Sequence, residues 1–253
     1  MFSLAALRSS FPPSASLFAA PGPLSVILAQ LRSTASPFVV ELDPYLAWRQ
    51  WYYDISLDYA LMAKREAIDA PQFVDDGSGH AYWNLFDAML DAVRWALARE
   101  SFGDLEVVVG AVGWPSGIPP SVSRDGRLGY GDSGNGADVG ATVFNAAMFN
   151  SRLAHHVGAC DAIASPPQTL HGGCVNVYIH EATDSGAGVS SGDGMDWGLC
   201  SSAGRLKYSL QSGNALASRT RGSDEPGEGY VPMLVAPADL GVGSFRRPAA
   251  VLL

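Results

Sequence analysis

Charged residues are scarce in this sequence, and basic residues are scarcer than acidic ones. Asp, Glu, Lys and Arg make up 16% of the 253 residues, and 16 Lys and Arg against 25 Asp and Glu give a formal net charge of −9. Binding to a phosphate backbone depends on Lys and Arg side chains that neutralise the phosphates. The composition therefore argues against nucleic acid as a partner.

Cysteine is also scarce. The three cysteines are Cys160, Cys174 and Cys200, and none belongs to a Cys-x-x-Cys pair. This spacing does not predict a zinc site. One disulfide beside a free thiol and three free thiols are both compatible with the sequence. We expect no metal and no cofactor in this protein.

Long apolar runs are missing as well. No run approaches the roughly 18 apolar residues of a membrane-spanning helix, so we expect no membrane span. Residues 1–20 contain a single basic residue, Arg8, and are interrupted by Pro12 and Pro13. They lack the basic start and the continuous apolar segment of a secretory signal, so the sequence does not decide the localisation.

The sequence does contain 47% hydrophobic residues, and these alternate between two patterns. Three segments carry apolar residues at helical spacing: residues 23–32, 82–99 and 141–157. Three shorter apolar runs are typical of buried parallel strands: residues 38–42, 105–109 and 175–179. This alternation predicts parallel βα units. The predicted core includes Val40, Leu85, Phe86, Met89, Val108 and Val177.

Two segments do not fit this pattern. Residues 117–140 are rich in Gly, Ser and Asp and are long for a connection between a strand and a helix. Residues 211–253 carry Pro, Gly and Arg without periodicity. We expect both segments to be weakly ordered, and we place the domain in residues 1–210.

The most specific motif follows the second predicted strand. Residues 107–116 (VVVGAVGWPS) run from that strand through Gly110, Ala111 and Val112 into Gly113, Trp114, Pro115 and Ser116. The run resembles the Ser-Glu-Thr-Gly-Trp-Pro-Ser turn of the plant-type β-1,3-glucan hydrolases of glycoside hydrolase family 17. Other segments resemble that family in its own order: residues 10–15 (SFPPSA), 36–45 (SPFVVELDPY), 55–61 (ISLDYAL) and 84–88 (NLFDA).

The resemblance implies an α/β fold, and more narrowly an incomplete (β/α)8 TIM barrel, its C-terminal half from about strand 6 to strand 8. Met1 aligns near the fifth strand of the family, so we expect either a truncated protein or an incomplete gene model. An open barrel leaves strand edges unpaired, and nothing in residues 1–35 is expected to cover them. Self-association through these edges is the expected result.

The resemblance also implies how the catalytic site has changed. The family cleaves β-1,3-glucan with retention, which needs a carboxylate nucleophile and a carboxylic acid roughly 5–5.5 Å apart. The position of the nucleophile is Ala111 here, and the segment that carries the acid would precede Met1. Further charged positions of the family correspond to Ser185, Gly188 and Gly194. We therefore expect no intact catalytic set.

The candidate substrate-binding residues lie near predicted strand ends and are Glu41, Asp43, Tyr45, Trp114 and Tyr178. Glu41 and Asp43 are two residues apart and are expected to project to one side. They are either a replacement pair of carboxylates or the result of drift at a site without catalytic demand. Tyr45 and Trp114 either stack on a sugar or pack inside the mouth of the barrel.

These observations lead to three hypotheses about function. The first is a glycoside hydrolase of family 17 by descent that is inactive as the chain stands, with β-1,3-glucan or a related cell-wall polysaccharide as its ligand. The second is a non-catalytic β-glucan-binding protein. The third is a truncated gene product with no stable function.

Overall fold

The computed structural model describes residues 2–3, 7–9, 11–117, 121–122, 128–129, 140–158, 175–184, 195–210 and 251–252. The strands are β1 (Phe2–Ser3), β2 (Leu7–Ser9), β3 (Leu17–Phe18), β4 (Phe38–Glu41), β5 (Phe73–Val74), β6 (Ala81–Tyr82), β7 (Val107–Val112), β8 (Ser121–Val122), β9 (Leu128–Gly129), β10 (Asn176–Ile179) and β11 (Val251–Leu252). The helices are α1 (Pro21–Ser33), α2 (Pro44–Gln50), α3 (Leu57–Ala60), α4 (Leu85–Arg99) and α5 (Val143–Gly158).

A parallel sheet forms the centre of the protein, with the strand order β1-β4-β7-β10-β11. The three strands predicted from apolar runs are β4, β7 and β10, which lie next to one another, and each predicted helix is present as α1, α4 or α5. Within the described residues the sheet does not close into a barrel. The predicted parallel βα units are therefore confirmed.

Helix α4 begins later than its apolar pattern predicts. The pattern starts at Tyr82, but Tyr82 lies in β6 and pairs with Phe73 of β5. Asn84 then caps the helix, because its side-chain oxygen accepts the backbone N–H of Asp87 at 2.8 Å. An Asn at this position satisfies one of the unpaired N–H groups of the first helical turn, so the helix begins at the cap.

The core lies between the sheet and the helices. Val40, Val109 and Val177 are in register on neighbouring strands and are almost completely buried. Every residue of the predicted core is buried: Val40, Leu85, Phe86, Met89, Val108 and Val177. Helix α4 contributes the largest share, because it is buried along almost its whole length. No helix among the described residues is long and apolar enough to cross a membrane.

The two edges of the sheet are covered differently from the expectation. Phe2 and Ser3 of β1 pair with Val40 and Glu41 of β4, so the expectation that nothing in residues 1–35 would cover this edge is wrong. A strand of two residues has no hydrophobic period, and the sequence pattern therefore did not predict it. On the other side Val251 and Leu252 of β11 pair with β10. The remaining residues after Leu210 lie outside the described part.

The long segment 117–140 is only partly described. It contains a short antiparallel pairing of β8 with β9, in which Ser121 faces Gly129. Gly117 forms a bridge to Asp196, and Gly140 lies at the start of the connection to α5. Its other residues lie outside the described part, so the weak order expected for this segment stays a prediction.

Candidate functional site

The carboxyl ends of β4, β7 and β10 lie together at one edge of the sheet, because the three strands are parallel neighbours. Glu41 is in register with Ala111, after an irregularity that follows the pair Val40 and Val109. Two backbone hydrogen bonds fix this edge: the Leu42 N–H donates to the carbonyl of Ala111 at 3.0 Å, and the His180 N–H donates to that of Val112 at 2.9 Å.

Two of the candidate residues lie on the open face of the sheet. Val40 and Val177 point into the core, so the alternation of side chains along a strand places Glu41 and Tyr178 on the opposite face. Ala111 is the register partner of Glu41, but it is itself buried. Tyr178 is 40% exposed and Glu41 is partly exposed. This face therefore presents one carboxylate and one phenol to solvent.

Asp43 has a structural use of its own. Its side chain accepts the backbone N–H of Leu46 at 2.8 Å and so caps α2. The strand ends at Glu41, so Asp43 lies outside it. The alternation of side chains along a strand therefore does not place Glu41 and Asp43 on a common side. The helix cap accounts for Asp43 without any catalytic role, and a part in binding stays a prediction.

Behind the strand ends lies a cluster of aromatic rings. The Tyr45 and Trp114 rings are 0% exposed and meet edge to face with their centroids 5.2 Å apart. The rings of Trp48, Phe149 and Trp197 surround this pair at centroid distances of 5.5–6.0 Å. Neither Tyr45 nor Trp114 presents a face to solvent. In this structure both rings pack inside the protein, which is the second of the two alternatives considered for them. Their part in sugar binding stays a prediction.

The turn after β7 depends on close packing. The indole N–H of Trp114 donates to the carbonyl of Gly140 at 2.8 Å, and the Asn145 amide donates to the same oxygen at 2.9 Å. A Cβ atom on Gly113 would lie 2.3 Å from the carbonyl oxygen of His180. Only glycine fits at this position, and the Gly-Trp-Pro-Ser turn thereby joins β7 to both β10 and α5.

A largely buried ion pair beside this turn was not predicted from the sequence. The Lys207 ammonium lies 2.6 Å from Oδ1 of Asp184 and donates to the hydroxyl of Ser116 at 2.5 Å. The same carboxylate oxygen accepts the backbone N–H of Gly198 at 2.9 Å. Burial, with a smaller contribution from Asp184, raises the pKa of Asp196 in the neighbouring bridge. No local motif links these residues, since Lys207 is 91 positions from Ser116.

A second polar cluster lies between α4 and α5, away from the strand ends. His156 Nε2 is 2.9 Å from Oδ1 of Asp87, whose other oxygen accepts from the Asn84 amide at 2.7 Å. Burial by itself would raise the pKa of Asp87, but His156 and the hydrogen bonds lower it overall. Burial would lower the pKa of His156, but Asp87 raises it overall. The pair therefore favours its charged form.

Several sequence-based expectations fall outside the described residues. Ser185, Gly188 and Gly194 lie in undescribed segments, as do Cys160 and Cys174. The third cysteine, Cys200, is partly exposed and carries a free thiol. Within the described part no three His, Cys, Asp or Glu side chains come together as a metal site.

The comparisons with known proteins agree on one family. The sequence profile described as "Glycosyl hydrolases family 17" matches residues 2–212. The chain is 29% identical to glucan endo-1,3-beta-glucosidase 12 of Arabidopsis thaliana over 250 residues, or 98% of this chain and 39% of the relative. It is 33% identical to glucan endo-1,3-beta-glucosidase 2 of the same plant over 221 residues, or 83% of this chain and 38% of the relative.

The solved structures agree with the sequence comparisons. CJP38, a beta-1,3-glucanase and allergen of Cryptomeria japonica pollen, superposes with a TM-score of 0.63 at 27% identity, over 84% of this chain and 57% of that chain. A plant beta-glucan endohydrolase superposes with a TM-score of 0.64 at 26% identity, over 82% and 58%. The predicted fold class, an incomplete (β/α)8 barrel, is thereby confirmed. The chain spans about two fifths of the length of the curated relatives.

Proposed function

Because this chain belongs to glycosyl hydrolase family 17, we propose that it binds β-1,3-glucan, or a related cell-wall polysaccharide, at the carboxyl edge of its sheet without hydrolysing it. The observation that carries this proposal is Ala111. It is the last residue but one of β7, two positions before Gly113 of the Gly-Trp-Pro-Ser turn, where the resemblance places the catalytic nucleophile.

The chemistry of the reaction supports the lack of hydrolysis. Retaining cleavage passes through an oxocarbenium-like transition state that a carboxylate attacks while a carboxylic acid protonates the leaving oxygen. A methyl group neither attacks the anomeric carbon nor stabilises positive charge on it. Glu41 lies on the next strand in register with Ala111, but it is one carboxyl group where the reaction needs two.

The open face supports the binding of sugar. Glu41 offers a hydrogen-bond acceptor for hydroxyl groups, and Tyr178 offers a flat ring with a polar hydroxyl tip. The buried Tyr45 and Trp114 lie behind this surface and hold the turn after β7 in place. Ligand sites in parallel α/β proteins lie at this end of the strands, which is consistent with the assignment.

Two assays on the same purified chain test the proposal. We expect isothermal titration calorimetry to show that the chain binds laminarin and β-1,3-linked gluco-oligosaccharides. The substitution Tyr178→Ala should weaken this binding. Val26→Ala serves as the control, because Val26 is a highly exposed apolar residue on α1. A folded chain that binds none of these ligands would contradict the binding half of the proposal.

The second assay measures reducing ends released from laminarin. We expect no release above a buffer blank, and none from Ala111→Glu, because that substitution supplies one of two carboxylates that act as a unit. Loss of either carboxyl group costs several kcal/mol of transition-state stabilisation. Hydrolysis that follows the protein through successive chromatography columns would show that the assignment of Ala111 is wrong.

A further inference from the structure

Three consecutive aromatic residues lie on the surface between α2 and α3. They are Trp51, Tyr52 and Tyr53, and none of the interactions of the strand-end site involves them. Trp51 is 55% exposed, and Tyr53, at 87%, is the most exposed of the large hydrophobic side chains in the described part. Single exposed apolar residues are ordinary, but adjacent exposed aromatic rings are a feature of interaction sites.

The rings are held in a fixed arrangement. The Tyr52 and Tyr53 ring centroids are 4.0 Å apart and the ring planes are inclined by 36°. A side-chain interaction with Tyr53 also raises the pKa of Tyr52. Tyr52 also packs against the hydrophobic core, and it anchors the more exposed Tyr53.

The backbone of this turn is equally well fixed. The carbonyl of Trp51 accepts the N–H groups of Asp54 and Ile55, both at 2.9 Å. The N–H of Trp51 in turn donates to the carbonyl groups of Ala47 and Trp48 at the end of α2. The aromatic rings are therefore presented by a turn that is already ordered, and a ligand would not have to order it on binding.

The turn lies on the same side of the sheet as the strand-end site. Residues 42–84 connect the carboxyl end of β4 to the start of α4, and such connections lie at the carboxyl edge. Within this connection the Trp48 ring of α2 contacts the Trp114 ring of the turn after β7, with centroids 5.9 Å apart. Helix α2, about 10 Å long at 1.5 Å per residue, lies between the end of β4 and Trp51.

The size and chemistry of the surface favour a sugar over a protein partner. A stable protein interface covers about 800 Å² on each partner, which is far more than three adjacent side chains supply. One glucosyl ring, in contrast, is matched in size by one indole or phenol ring. The apolar C–H face of the sugar covers the aromatic face, while the hydroxyl groups at the sugar rim stay in water or reach polar groups at the ring edge.

We propose that Trp51 and Tyr53 form an outlying sugar-binding platform, which takes the apolar face of a glucosyl unit of the same β-1,3-glucan chain that occupies the strand-end site. This proposal rests on the proposed function, because the ligand is the same. The platform adds a second contact with the ligand. The protein should therefore bind long oligosaccharides, which reach both sites, more tightly than short ones, which fill one site.

The test compares ligand lengths by calorimetry on the complete chain. The ligands are β-1,3-linked glucose oligomers of three and of eight units. The variants are the double variant Trp51→Ala/Tyr53→Ala, the conservative double variant Trp51→Phe/Tyr53→Phe, and Ile68→Ala as a matched exposed apolar control. Circular dichroism melting of each variant establishes that it is folded.

The proposal expects the Ala double variant to bind the eight-unit oligomer about tenfold more weakly and the three-unit oligomer as the unsubstituted chain does. The Phe double variant and Ile68→Ala should retain both affinities. Equal affinity of the Ala double variant and the unsubstituted chain for the long oligomer would overturn the platform and leave the proposed function standing. If the unsubstituted chain binds neither oligomer, both proposals fail.

Discussion

At the scale of single residues, the Asp87 and His156 pair makes the stability of the protein depend on pH. Asp87 lies on α4 and His156 on α5, with Asn84, Arg94 and Glu66 also acting on them. His156 has a pKa above its ordinary value of about 6.5, so its stabilising charge is fully present below that pH and is lost as the pH rises through the folded pKa. Asp87 has a lowered pKa, so its contribution is lost as the pH falls below about 4.

We therefore expect His156→Gln to destabilise the protein most between about pH 4 and pH 6.5. The loss there should be about 1 kcal/mol, or roughly 2–4 °C in Tm for a domain of this size. Thermal melts at a series of pH values measure it. His155→Gln is the matched control, since His155 is the exposed neighbour on the same helix. A constant difference between His156→Gln and the unsubstituted chain from pH 5 to pH 9 would mean that the pair is not ionised.

At the scale of elements, the ion pair of Lys207 and Asp184 joins the turn after β7 to the segment after β10 through Ser116. We expect Lys207→Met to cost about 2 kcal/mol, because it leaves the nearly buried carboxylate of Asp184 without its cation. Urea unfolding at neutral pH measures the loss.

The control for this change is Arg65→Met. Arg65 is mostly exposed and its guanidinium lies 3.9 Å from Asp69, so the pair should contribute little, about 0.5 kcal/mol or less. Similar midpoints for Lys207→Met and Arg65→Met would show that the buried pair does not hold these segments together.

Elements with a strong pattern were predictable from the sequence, and elements that depend on distant partners were not. Strands β4, β7 and β10 are apolar runs, and α4 carries a wide apolar stripe. The sequence pattern therefore predicts both the strands and the helix. The apolar pattern predicts that α4 begins at Tyr82, which is too early. Tyr82 belongs to β6, and the helix begins only after its cap at Asn84. The Lys207 pair and the strand β1 arise only from the folded arrangement, and so does the exposure of Trp51 and Tyr53.

At the scale of the whole molecule, the described sheet remains open. Each edge is covered only by a strand of two residues. Such short edge strands leave much of the neighbouring strand's backbone unpaired, and unpaired edges favour pairing with another copy. We expect a dimer in size-exclusion chromatography with light scattering, dissociating on dilution. A monomer at all concentrations with one sharp thermal transition would contradict this expectation.

The order of the strands in the sheet follows their order in the chain, with β1 at one edge and β11 at the other. Each of these strands is held by two register pairs, whereas β4 and β7 share four. A force that pulls Phe2 and Leu252 apart therefore loads the weakest pairs first. If the protein were stretched between these two residues, β1 and β11 would detach at low force. The three central strands with their helices would stay assembled until the force was much higher.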